Sequence, residues 1–137
     1  DRSTTGLLMF TNDGELTKKL THPRYGVRKI YHVELDKPLK KQDLDQIAEG
    51  LELEDGQIKV DEVTYVGDGK DKTQIGVELH SGKNRIVRRI FEHLGYNVRK
   101  LDRVMFGSLT KKELARGRWR FLTDAEVGIL KMISEDK

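Results

Sequence analysis

At 137 residues, with 36% hydrophobic and 36% charged side chains, the chain has the size and composition of a single, soluble, highly charged globular domain. It contains no cysteine, which excludes disulfides and Cys-ligated zinc or iron–sulfur sites. No apolar stretch nears the roughly 20 residues that a membrane-spanning helix needs. The net charge of +3 conceals an uneven distribution. Residues 81–120 hold twelve Lys and Arg against three Asp and Glu, a local charge of +9, while the rest of the chain holds fourteen against twenty, or −6. A one-sided field of this kind suits a polyanion such as RNA, although a solvated charged face would look the same by charge alone. No signal peptide is visible, and the expected location is cytoplasmic.

In chain order, residues 12–22 (NDGELTKKLTH) predict a short helix with Asn12 as N-cap and Glu15 three residues on, stopped by Pro23. Residues 29–35 alternate, with Tyr31, Val33 and Leu35 on one face, and predict a strand. Residues 41–51 place Leu44, Ile47, Ala48 and Leu51 at helical spacing. Two strands are expected at 58–66 and 73–80, joined by a Gly- and Asp-rich turn. Residues 85–95 give the clearest helix, with Ile86, Val87, Ile90, Phe91 and Leu94 as an apolar stripe. Arg85, Arg88 and Arg89 are expected to share a second face of it, and Gly95 to end it. Strands follow near 97–106 and 119–122, and a last helix is capped by Thr123 with Glu126. Interspersed strands and helices with short turns predict an α+β domain, its sheet mixed and largely antiparallel and flanked by helices. Trp119 reads as a core anchor. His22, His32, His80 and His93 form no ligand pattern, and Gly67, Gly69, Gly76 and Gly82 match no phosphate loop.

Three segments resemble one enzyme family. DRSTTGLLMFTNDGEL (1–16), VRKIYHVEL (27–35) and SGKNRIVRRIFEHLGYNVRKLDRVMFG (81–107) resemble, in order and spacing, the three motifs of a group of ribosomal RNA pseudouridine synthases. That group comprises the A enzyme for small-subunit RNA and the B, E and F enzymes for large-subunit RNA. LELEDG and GRWRFLT extend the likeness over almost the whole chain. The resemblance implies a pseudouridine synthase catalytic domain over 1–137, truncated at its N-terminus, without the Arg-Leu that precedes the first motif's aspartate and without an S4-type RNA-binding domain. Ile86 stands where glutamine is frequent in the family. The implied reaction is site-specific isomerisation of uridine in ribosomal RNA, 23S ahead of 16S. LELEDG leans toward the B branch and EHLGY toward F.

That reaction breaks the N1–C1′ bond of a flipped-out base, rotates the base and rejoins it through C5. It gains and loses no atom, so no cofactor or metal is expected; the expected partner is ribosomal RNA, with no membrane, and the expected state is a monomer. The chemistry asks for a carboxylate that attacks C1′ or removes a sugar proton. By resemblance this is Asp1. Arg88 would keep it ionised, and Tyr31 would stack on the uracil or move a proton. Leu101 would pack against the base, and Arg103 would brace the site or bind phosphate. Lys83, Arg85, Arg89, Arg99 and Lys100 are expected to contact RNA. A non-catalytic RNA-binding module would explain the charge but not the first two motifs, and a glycosidase would need the carboxylate but not the arginine helix.

Overall fold

The computed structural model describes residues 2–22, 26–81, 83 and 85–135, with side chains to residue 132. Asp1, the proposed helix stop Pro23 and Gly82 therefore lie outside the described residues. The elements are β1 (Thr4–Gly6), α1 (Gly14–Thr21), β2 (Lys29–Leu35), α2 (Lys41–Glu49), β3 (Leu51–Leu53), β4 (Gly56–Ile58), β5 (Glu62–Tyr65), β6 (Gln74–Leu79), α3 (Ile86–His93), β7 (Val98–Phe106), β8 (Leu109–Thr110) and α4 (Asp124–Glu135). The main sheet runs β1-β7-β2-β6-β5, with β8 on β7. Its β1–β7 pair is parallel and its other pairs are antiparallel. This is the expected α+β arrangement with a mixed, largely antiparallel sheet.

Alternation on β2 builds the core. Val33 and Leu35 are almost fully buried, and Val33 lies across from Ile75 on one side and Leu101 on the other. Leu44 and Ile47 of α2 and Ile86, Val87, Ile90 and Phe91 of α3 close over that face, so two amphipathic helices cover one side of the sheet. A smaller cluster of Leu20, Val27, Leu109 and Leu130 joins α1 to α4. The final capping box forms as read: the Thr123 N–H donates to the Glu126 carboxylate at 2.8 Å, and the Glu126 N–H donates to the Thr123 hydroxyl at 3.2 Å. Arg120 adds a two-pronged grip on Glu126 and, with the cap, lowers that carboxyl's pKa to about 2.

The elements differ from the sequence expectation at several places, beginning with β1 and β8, two short strands that the periodicity does not predict. Asp13 caps α1, its carboxylate accepting from the Leu16 N–H at 3.0 Å; Asn12 does not. Leu51 leaves the helix and Ile58 leaves the following strand, and the two pair in a β3–β4 hairpin after Gly50 turns the chain with φ of 117°. Residues 119–122 form no strand, and Trp119 is 74% exposed rather than a core anchor. Its ring meets only that of Phe121, edge to face, among the aromatic contacts of the described residues. The three arginines of 85–89 share no face. Arg85 precedes the helix in the left-handed region with φ of 53°, Arg88 is only 7% exposed, and Arg89 reaches sideways to Asp55.

Gly6 shows why β1 has its sequence. With φ of +99°, it lies so close to β7 that an added Cβ would stand 2.2 Å from the Arg103 carbonyl oxygen and 2.5 Å from its nitrogen. Both contacts are backbone and cannot swing aside. Gly6→Ala is expected to cost about 3 kcal/mol or more, combining an overpacking clash with a left-handed alanine. Urea denaturation checks this; a midpoint equal to that of the parent protein would mean that β1 does not pair as described.

Candidate active site

Strands β2 and β7 and the segment leading into α3 enclose a cleft of about 280 Å³. That is just under the roughly 300–1,000 Å³ of ordinary small-molecule sites. Tyr31 and Leu101 form part of its wall, on the sheet face that carries the core. Tyr31 is half-buried and lies across from Arg103 on β7 and Val77 on β6. Leu101 is 5% exposed. The Arg103 guanidinium donates twice to the Leu7 carbonyl, at 3.1 and 2.6 Å, and lies 4.8 Å over the Phe106 ring, so it braces the chain just after β1.

Arg88, buried on α3, reaches the segment just before β1. It donates to the Ser3 carbonyl at 3.1 Å and, more weakly, to the Val98 carbonyl at 3.4 Å. A buried guanidinium needs such partners. These bonds tie the first and third sequence motifs together two residues from Asp1, whose own position lies outside the described residues.

The basic residues divide. Lys83 and Arg85 line the cleft. Lys83 also donates to the Asp55 carbonyl at 3.2 Å, and Arg89 donates to the Asp55 carboxylate at 2.9 Å and lowers its pKa. Both therefore help to hold the β3–β4 turn against the start of α3. Arg99 and Lys100 are exposed on β7 and belong to a wider groove of about 1,350 Å³, shared with Trp119, Phe121 and His32. The sequence assigned no role to Lys29. The structure sets it in the cleft two residues from Tyr31, half-buried, its ammonium donating to the Ser81 carbonyl at 2.9 Å. Burial, and then the charge of Arg103, lower its pKa. Its K-x-Y setting was the available signal, but its surroundings come from residues far along the chain.

Residues of all three sequence motifs meet at this cleft, among them Thr4, Tyr31 and Arg103. Residues 1–93 match the family model for RNA pseudouridylate synthase, and the chain belongs to that family. Among its relatives, the ribosomal large subunit pseudouridine synthase B of Bacillus subtilis is 36% identical over 137 residues, which is 98% of this chain and 56% of the relative. The namesake from Buchnera aphidicola is 38% identical over 95% of this chain and 53% of its own. An uncharacterised RNA pseudouridine synthase of Aquifex aeolicus is 34% identical over 95% of this chain and 52% of its own. A crystal structure of a pseudouridylate synthase superposes with a TM-score of 0.80 at 28% identity, covering 95% of this chain and 56% of that one. The chain thus spans about half the length of these relatives.

Proposed function

We propose that this chain is the catalytic domain of a longer, monomeric cytoplasmic enzyme that isomerises a specific uridine of ribosomal RNA, in the large-subunit 23S RNA, to pseudouridine. The observation that carries the reading is the Arg88–Ser3 hydrogen bond, which brings a buried guanidinium to the segment headed by Asp1. In this reading Asp1 acts at the sugar, and Arg88 keeps it ionised in a site whose burial would otherwise favour the neutral acid. The extruded uracil lies in the cleft between Tyr31 and Leu101, and Arg103 fixes the wall beside it. The isomerisation has no net redox change, so these side chains need no metal or cofactor to complete it. The names of the large-subunit relatives support the choice of RNA.

Full-length protein incubated with ribosomal RNA from a strain lacking the gene is expected to introduce pseudouridine at one position of 23S RNA. Tight binding without conversion would instead establish a non-catalytic RNA-binding module. Conversion only in 16S RNA would make small-subunit RNA the substrate.

Lys83, Arg85, Arg89, Arg99 and Lys100 are the proposed RNA contacts, and they are not equivalent. Arg85 is exposed at the cleft, and Arg89 is half-buried beside Asp55. Arg85→Ala should weaken binding across sequences and flatten the salt dependence of log K by about one unit or less. Arg89→Ala should flatten it less, because its half-buried guanidinium is turned toward Asp55 and not toward the open cleft. Titrations over a series of salt concentrations test this. Unchanged slopes for both would take this face away from the RNA backbone.

A further inference from the structure

Four cations line the cleft: Lys29, Lys83, Arg85 and Arg103. Among the described residues no carboxylate lines it with them. Their positions sort them by use. Arg103 is committed to the Leu7 carbonyl. Lys83 leans on the β3–β4 turn, and Arg85 is exposed. Lys29 differs. It is half-buried, begins the strand that presents Tyr31, and stands on the same face about 7 Å along it. An ammonium has three donors, and among the described residues the Lys29 ammonium has one hydrogen-bond partner, the Ser81 carbonyl.

We infer that Lys29 is a further catalytic residue, whose ammonium donates to a carbonyl oxygen of the uracil and holds the negative charge the ring carries while it is detached. The inference rests on the isomerase reading above. When the C1′–N1 bond breaks heterolytically, its electron pair stays on N1 and spreads to O2 and O4. The ring then turns and C5 gives its pair to the electron-poor C1′, which leaves the ring neutral. The C5 proton is then removed and N1 gains one in its place, so no atom is gained or lost. Between cleavage and the new bond the ring is an anion in a partly buried cleft, where a fixed donor is worth more than in bulk solution. A base lying on Tyr31 brings its edge within reach of a side chain two residues along the same strand face. The lowered proton affinity of Lys29, caused by burial and then by Arg103, fits a cation that gains from an arriving anion.

The test uses the full-length enzyme under single turnover, on RNA carrying uridine or 5-fluorouridine at the target. Fluorine withdraws electrons and makes the ring a better leaving group, so it needs less help. Lys29→Met is expected to slow C1′–N1 cleavage about a hundredfold on uridine and about tenfold or less on 5-fluorouridine. RNA affinity should stay within about threefold, and Lys29→Arg should restore part of the rate. Lys29→Gln should show the same substrate difference, so the answer does not hang on the folding of one variant. Equal losses on both substrates would make Lys29 a structural residue, and loss of affinity alone would make it a phosphate contact; either overturns the inference, as does an unchanged rate. If the parent enzyme itself converts no uridine, the isomerase reading fails, an outcome distinct from an active parent with undiminished Lys29 variants.

Discussion

Asp1→Asn in the full-length protein is expected to abolish isomerisation while leaving RNA affinity within about tenfold. The amide keeps the size of the side chain but can neither attack C1′ as an anion nor accept a proton from the sugar, so both routes open to the carboxylate close together. Binding should survive because the proposed phosphate contacts lie elsewhere, on Lys83, Arg85 and their neighbours. The measurement is a paired one: pseudouridine formed at saturating enzyme, and affinity by titration on the same RNA. Appreciable turnover by the Asn variant would remove Asp1 from the chemistry.

The parts of the fold legible in the sequence are those whose pattern repeats over a whole element. β2 was readable because Tyr31, Val33 and Leu35 alternate over seven residues, and α3 because its apolar stripe spans two turns. The Thr123–Glu126 cap was readable because both partners lie within one turn. The short strands were not. β1 is three residues long and exists through pairing with β7, almost a hundred residues away. The β3–β4 hairpin has three residues a side, too few to set a period, and its outer leucine and isoleucine suited the neighbouring elements equally well. Alternation misled at residues 119–122, where Trp119 and Phe121 share a side but no neighbouring strand pairs with them.

The candidate site was legible by motif but not in its division of labour. Spacing at i, i+3, i+4 suggested one basic face. Yet Arg85 sits before the helix begins, where helical spacing does not apply. Arg88 stands next to Val87 and three residues before Phe91, at the edge of the buried stripe, and so turns inward to the segment just before β1. The environment of Lys29 is set by Ser81 and Arg103, neither of them a sequence neighbour.

Arg88→Ala in the full-length enzyme is expected to lower the single-turnover rate by at least about a hundredfold once RNA is bound. The argument starts from burial. Arg88 is 7% exposed and is held by the Ser3 and Val98 carbonyls. If it also keeps Asp1 ionised, its removal leaves a desolvated carboxylate without its partner, and breaking such a buried pair costs about 3–5 kcal/mol. An exposed phosphate contact is worth far less, so affinity should fall no more than it does for Arg89→Ala, whose guanidinium lies by the β3–β4 turn. Arg88→Lys should recover part of the rate, since it retains the charge but not the planar fork that reaches two carbonyls. A purely structural arginine would behave differently. Its loss would lower the denaturation midpoint and the fraction of competent enzyme, while the competent fraction reacted at the parental rate. The deciding comparison is rate against affinity for Arg88→Ala and Arg89→Ala, with denaturation midpoints measured for both. A near-parental rate for bound Arg88→Ala would make Arg88 a strut for the segment before β1 and leave the ionisation of Asp1 to another group.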